Sequence, residues 1–262
     1  MPIWHGRDIV GQVIAVVSGK GGTGKTSFCA GVAVALCALG EKVLLIDADS
    51  GLRSLDLVLG MSDRVLFSYG DVIDGASSLK EAAVKHPIVK NLRLLTAPGT
   101  QETGMGYNEW QIAALLDRAR AHFTYILVDC PAGFGSEVMR FARHADRAVV
   151  VSTPDHTALR GAQRMGVQLC AAGMDRLRIA VNRVRAGMID TGGAVNIDAA
   201  MDQAGMALLG VIPEDRDVIA CGNLGRVLVL FSSGYARVAY ANIARRLRGS
   251  RVRLLEGVRL KK

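Results

Sequence analysis

The chain has 262 residues, half of them apolar, and a formal net charge of +8 at pH 7, enough to bury one large core as an ordered α/β domain. No apolar run reaches the roughly 20 residues a membrane-spanning helix needs, and the opening MPIWHGRDIVGQ lacks the apolar centre of a secretory signal, so a cytoplasmic location is expected. The five cysteines are scattered with no C-x-x-C pair, which argues against a disulfide framework, a zinc site or a cluster scaffold.

In chain order, Val13–Val17 is a short apolar, β-branched run that reads as a buried parallel strand. The next eight residues, Gly19-Lys20-Gly21-Gly22-Thr23-Gly24-Lys25-Thr26, fit G-x-x-x-x-G-K-[ST], and an apolar helical stretch from Ser27 to Leu39 follows directly. Strand, glycine turn and helix form the setting in which this pattern holds a polyphosphate. Gly21, Gly22 and Gly24 let the backbone curl with its N–H groups inward, where side chains would block a phosphate. The helix N-terminus adds unpaired donors and a positive dipole end. Lys25 is then placed for the β- and γ-phosphates and the Thr26 hydroxyl for Mg²⁺; the cradle as a whole runs from Gly19 to Ser27. Val43–Ile46 is a second buried strand that delivers Asp47 and Asp49 at its carboxyl end, the edge where ligands bind in open α/β sheets. Two carboxylates there suit a Mg²⁺ shell and a water-positioning base.

The sequence GKGGTGKT resembles the deviant Walker A motif of the MinD/ParA family of ATPases. Lys20 is the early lysine of that motif; the resemblance implies that it reaches across a dimer interface to the partner's nucleotide, against the plain alternative of a solvated lysine beside a generic loop. The stretch Asp49-Ser50-Gly51-Leu52-Arg53-Ser54-Leu55-Asp56-Leu57 is similar to the D-x-G-L-R-N-L-D-L run of the MinD branch, with Ser54 in place of the usual Asn, and differs from the D-P-Q-G-N-like run of ParA relatives.

Further along, Val65–Val84 reads as loop and helix interrupted at Gly70 and Gly75, and Asn91–Thr96 as the third strand. Gly99–Gly106 reads as a mobile loop, and Asn108–Arg120 as a helix whose Trp110 serves core or partner packing. Tyr125–Val128 is a strand running into Asp129-Cys130-Pro131-Ala132-Gly133, which resembles the family's Walker B segment; by that likeness Asp129 joins Thr26 and Asp47 around Mg²⁺. Arg147–Val151 is the next strand, and the helix His156–Ala171 follows. Here the chain departs from its relatives: Gly161 stands where the family usually carries Asp, on a helix that contributes to dimer and regulator binding, so the usual regulatory partners are in doubt. Arg178–Val181 ends at Asn182, which by the resemblance faces the adenine edge. Leu208–Ile212 ends in Pro213, Glu214 and Asp215, either walls of the adenine pocket, as the resemblance implies, or plain turn residues. Tyr235–Leu247 is a closing amphipathic helix with Val238, Ile243 and Leu247 near one apolar face.

The charge is concentrated at the end. From Arg245 to Lys262 there are eight basic residues against one acidic, Glu256, so the body is near neutral. Three readings of this tail stay open: a solvated basic end, weak peripheral attachment to an anionic membrane surface, and, less favoured, contact with DNA. Val252, Leu254, Leu255, Val258 and Leu260 share a rough apolar side without an aromatic anchor, and Gly257 weakens a helix there.

The expected organisation is a doubly wound, mostly parallel α/β sheet with helices on both faces, a P-loop ATPase domain over 1–250 and a basic tail over 251–262. The resemblance implies ATP and Mg²⁺ as cofactors, hydrolysis of ATP to ADP and phosphate, and an ATP-dependent homodimer. In that scheme Lys20 and Lys25 stabilise the transferred phosphate and Asp49 positions the attacking water. The implied role is placement of the division septum by recruiting a division inhibitor to the inner face of the membrane, with an ATPase-activating regulator as a further partner. Placement of flagella or other surface structures, DNA partition, and a nucleotide-binding scaffold with negligible turnover are the alternatives.

Overall fold

The structure, a computed structural model, describes residues 11–99, 106–254 and 257. The chain runs β1 (Gln12–Val17), α1 (Lys25–Ala38), β2 (Val43–Asp47), α2 (Leu55–Val58), α3 (Tyr69–Ile73), α4 (Leu79–Ala82), β3 (Val84–Lys85), β4 (Leu92–Leu95), α5 (Glu109–Arg120) and β5 (Tyr125–Asp129). It continues through α6 (Ser136–Ala142), β6 (Arg147–Ser152), α7 (His156–Ala171), β7 (Leu177–Val184), α8 (Ala186–Asp190), α9 (Ile197–Ala204), β8 (Leu208–Pro213), α10 (Arg216–Asn223), α11 (Leu228–Phe231) and α12 (Tyr235–Leu247). The sheet order is β3-β4-β2-β5-β1-β6-β7-β8. All pairs are parallel except β3 with β4, a two-residue antiparallel edge. This is the doubly wound fold the sequence predicts.

Alternation along β1 shows why both faces must be covered. Val13, Ala15 and Val17 join the core beneath α5, α6 and α7, while Ile14 and Val16 join the core beneath α1 and α12. A parallel strand buried on both sides carries apolar residues at every position, and the sequence VIAVV does so. On the second face α1 and α12 approach closely: a Cβ on Gly31 would lie 2.4 Å from the Tyr240 ring. Phe28 meets that same ring edge-on at 6.4 Å, a favoured aromatic geometry.

Because β1 lies at the centre and the chain winds outward from it in both directions, the carboxyl ends of β1, β2 and β5 open onto one crevice, where ligands bind in such sheets. Register puts Asp47 directly beside Asp129 on the neighbouring strand. A shift of register between Val181 and Val184 against β8, with Arg183 at φ 57°, turns the Asn182 side chain toward the same crevice.

Several expectations are corrected. The strand at 92–95 is fourth in order, because β3 precedes it; two residues are too few for a periodic signal. Gly70 lies inside α3, and only Gly75, at φ 76°, breaks the chain. Trp110 is 84% exposed, so core packing is excluded: α5, capped by Asn108 and Gln111, buries Ile112, Leu115, Leu116 and Ala119 instead. On α12 the buried stripe is Ala236, Ala239, Tyr240, Ile243 and Leu247. Val238 sits beside it, within reach of the tail at Gly257. The expected mobile loop at Gly99–Gly106 falls largely outside the described residues, as do Leu255, Val258 and Leu260 and the charged Glu256, Arg259, Lys261 and Lys262.

Candidate functional site

The glycine loop leaves β1 at Ser18 and enters α1 at Lys25, with Gly24 as helix cap at φ 93° and Gly22 at φ 75°. Both angles lie in the left-handed region that favours glycine. A Cβ added at Gly21 or Gly22 would meet nothing within 4 Å, so the space beside the backbone at those two positions is open. Gly24 differs: a Cβ there would lie 2.3 Å from Asn182 Nδ2. Asn182 Nδ2 donates to the Thr23 carbonyl at 2.8 Å, and its Oδ1 accepts from the Arg183 amide at 2.9 Å. Both ends of this buried amide are therefore engaged, and Asn182 acts here as a brace that ties β7 to the loop. Each end keeps further capacity, a second N–H on Nδ2 and a second lone pair on Oδ1, so the brace and a base contact are compatible.

The charged groups converge below the loop. Lys25 is buried and donates from Nζ to Ser18 Oγ at 3.1 Å, while Ser18 Oγ donates to the Lys20 carbonyl at 2.7 Å. Thr26 Oγ1 donates to Asp129 Oδ2 at 2.6 Å and lies 3.3 Å from Ser54 Oγ. Asp47 accepts from the Asp49 amide at 3.1 Å and the Leu55 amide at 2.9 Å. It thereby folds the Ala48–Ser54 loop over the strand end. Asp49 Oδ1 accepts from the Gly51 and Leu52 amides at 3.1 and 3.2 Å, an arrangement that turns the loop back on itself.

Burial dominates the electrostatics. Desolvation pushes the Asp129 carboxyl up to about 7, with the neighbouring Asp47 charge adding to it and the Thr26 hydroxyl opposing it. Desolvation likewise raises Asp47 to about 6, offset in part by the Leu55 and Asp49 amides. Asp129 Oδ1 is buried with no hydrogen-bond partner among the described residues. An unpaired, desolvated carboxylate oxygen is costly unless a cation meets it. Mg²⁺ commonly takes one or two carboxylates together with phosphate oxygens and water. Asp129, Asp47 and the Thr26 hydroxyl beneath an open loop fit a magnesium-bound nucleotide.

The remaining predicted residues fall around this centre. Lys20 leans outward, its side chain 48% exposed and 3.5 Å from Asp155 Oδ1. Asp155 in turn caps α7 by accepting from the Ala158 amide at 2.9 Å. Thr23 is buried, and Ser27 lines a small cleft between α1, α2 and α10. Glu214 pairs with Arg185, and Asp215 caps α10 through the Asp217 amide and accepts from the Ala236 amide at 3.3 Å. Pro213 ends β8. In this structure Glu214 and Asp215 carry structural duties at the β8–α10 turn.

The sequence reading gave no site role to Ser18, Ser54 or Asp155, which contact Lys25, Thr26 and Lys20. Their short polar side chains beside the motif are the available signal, but such residues are common in turns. It also missed the close approach of Gly161 to Gly19. A Cβ on Gly19 would lie 2.2 Å from the Gly161 carbonyl oxygen, and a Cβ on Gly161 would lie 3.3 Å from Gly19. The phosphate loop and α7 therefore touch backbone to backbone at Gly19 and Gly161.

A sequence profile described as the CobQ/CobB/MinD/ParA nucleotide binding domain matches residues 14–228. The septum site-determining protein MinD of Synechocystis sp. is 35% identical over 246 residues, covering 94% of this chain and 92% of that protein. Among solved structures, the MinC:MinD cell division protein complex of Aquifex aeolicus superposes with a TM-score of 0.87 at 32% identity, covering 96% of this chain and 100% of that one. MinD of Pyrococcus horikoshii complexed with Mg-ADP superposes with a TM-score of 0.81 at 30% identity, covering 90% of this chain and 95% of that one.

Proposed function

The chain belongs to the CobQ/CobB/MinD/ParA nucleotide-binding family, and from that premise we propose that it is a dimerising switch that helps place the division septum by recruiting a division inhibitor. It is a MinD-like ATPase that works with ATP and Mg²⁺. The relatives named for septum site determination, and the Aquifex aeolicus protein solved together with MinC, support the inhibitor as partner.

The proposed division of labour follows the contacts. The loop amides from Gly19 to Ser27 and the buried Lys25 bind the phosphates. Thr26, Asp47 and Asp129 hold magnesium, which when bound supplies positive charge to the phosphate oxygens. Asp49 orients the attacking water by accepting its proton-bearing edge, for which its second carboxylate oxygen, the one not engaged by Gly51 and Leu52, remains available. Asn182 keeps the Thr23 end of the cradle in place, and Pro213, Glu214 and Asp215 border the base. The 251–262 segment follows the 1–250 ATPase domain as a basic attachment to an anionic membrane face; two copies in a dimer would raise its effective affinity.

The single observation that carries the dimer reading is Lys20. A lysine serving its own loop would turn inward as Lys25 does; this one points out to Asp155 on the α7 cap. The test is the ATPase rate per subunit against protein concentration. The wild type should accelerate as dimers form, and Lys20→Ala should stay slow at every concentration. A concentration-independent rate that the substitution leaves unchanged refutes the trans role.

A further inference from the structure

At the opposite end of the sheet from the nucleotide site, the amino ends of β2, β4 and β5 border a cavity of about 600 Å³. Its volume lies within the range of small-molecule sites. Its charged lining comprises Lys42, Lys80, Lys85, Lys90 and Arg93, with His122 beside them, and among the described residues no carboxylate lines it. None of the four lysines has a carboxylate partner among the described residues. The two nearby acids are already engaged: Glu81 accepts from the Ser78 amide and hydroxyl, and Glu41 pairs with Arg248 at 2.8 Å. An ordinary solvated face mixes both signs; this one does not.

The lining also has a fixed shape and an apolar part. His86 Nδ1 accepts from the Ile88 and Val89 amides at 3.1 and 2.9 Å, and the His86 amide donates to the Leu92 carbonyl at 3.0 Å. Arg93 fastens the end of α4 by donating to the Lys80 and Ala83 carbonyls at 3.0 and 2.8 Å. The 86–91 turn is thus pinned from both sides. Pro87, the exposed Ile88 and Phe123 supply apolar surface along the same lining.

We propose that this cavity binds a phosphate ester carrying an apolar substituent, the chemistry shared by an anionic phospholipid headgroup and a free organic phosphate. Cations gathered without a counterion favour a multiply charged anion, and the apolar strip favours a ligand that is more than phosphate alone. The site is separate from the glycine loop and does not rest on the septum reading. Through Glu41 and Arg248 it adjoins the last turn of α12, from which the basic tail departs.

The test uses the ¹⁵N-labelled full chain saturated with Mg-ADP, so that the glycine loop is closed to the probes. Monomeric dihexanoyl phosphatidylglycerol and phenyl phosphate, a soluble phosphate ester, are titrated separately and amide shifts followed. The expected result is saturable shifts over residues 85–93 and 122–123, weakened about tenfold or more in the Lys85→Glu/Lys90→Glu variant. That variant should keep the Mg-ADP affinity and melting temperature of the wild type, since both lysines are exposed. Tighter binding of the lipid identifies a headgroup source, and equal or tighter binding of phenyl phosphate a soluble one; either supports the site. No saturable shift with either probe, or shifts the variant leaves unchanged, overturns it. ATPase activity does not enter the readout, so failure here and failure of the septum reading are distinguishable.

Discussion

The two ends of the central sheet treat charge in opposite ways. At the carboxyl ends, Asp47, Asp129 and Lys25 are buried and held by a few short contacts to Thr26, Ser18 and loop amides. At the amino ends, Lys42, Lys85 and Lys90 stand in solvent with no partner carboxylate among the described residues. The first arrangement destabilises the free protein and so favours whatever satisfies it. The second leaves like charges in solvent, where water and salt screen their mutual repulsion, and adds attraction for an anion. A substitution at the carboxyl end should therefore change both stability and ligand affinity, whereas one at the amino end should change a binding property alone.

The largest effect is expected at the contact between the glycine loop and α7. Gly19→Ala places a methyl group 2.2 Å from the Gly161 carbonyl, and neither backbone segment can yield without distorting the loop. A loss of about 2–3 kcal/mol in denaturant unfolding should come with severe loss of ADP binding. An unperturbed variant would show that the loop is not seated on α7.

Next comes Asp129→Asn, which should raise the melting temperature of the nucleotide-free protein while lowering the Mg²⁺-dependent ADP affinity. Removing a buried charge whose Oδ1 has no partner among the described residues is worth about 1–3 kcal/mol. The same cause sets a pH dependence. Asp129 and Asp47 are pushed up to about 7 and about 6 in the fold, so between the ordinary carboxylate range and those values the folded state holds protons the unfolded chain has released. Stability of the free protein is then full at acid pH, as far as these groups go, and falls as pH rises from about 4 to about 7. The Asn variant should flatten that slope in urea titrations at pH 5 and pH 8. A slope of the opposite sign would contradict the burial argument.

A smaller change is expected for Gly161→Ala. Helix propensity favours alanine by about 1 kcal/mol, but the added Cβ sits 3.3 Å from the Gly19 backbone. The net should be a loss of about 1 kcal/mol or less, read by the same unfolding assay, and much milder than Gly19→Ala. Least of all, Lys85→Glu/Lys90→Glu should stay within about 0.5 kcal/mol of wild type in stability. A larger loss would mean that the cationic end also bears on the fold.

How much of this was legible beforehand follows from the range of the forces involved. The strand, glycine turn and helix at 13–39 are specified by neighbours in sequence, through β-branched burial and the left-handed angles at Gly22 and Gly24. Asp47 and Asp129 were legible because each ends an apolar strand, and parallel register alone sets them side by side. Asn182 was legible as a site residue but not as a brace, because its bond to Thr23 spans 159 residues and depends on the bulge in β7. Trp110 looked like core by residue type, yet α5 presents the Ile112 and Leu116 face inward and leaves the indole in solvent.

The amino-acid order by itself determined the sheet's apolar strands, the cradle between β1 and α1, and the family likeness that goes with its two lysines, since each depends on spacing along a few consecutive residues. Only the tertiary structure decided that Gly161 is a contact point for Gly19, that Lys20 rests on Asp155, and that lysines from the β2, α4, β3 and β4 regions share one cavity. Those are meetings of distant segments, and their energies depend on distance and burial, which exist only once the chain has closed on itself.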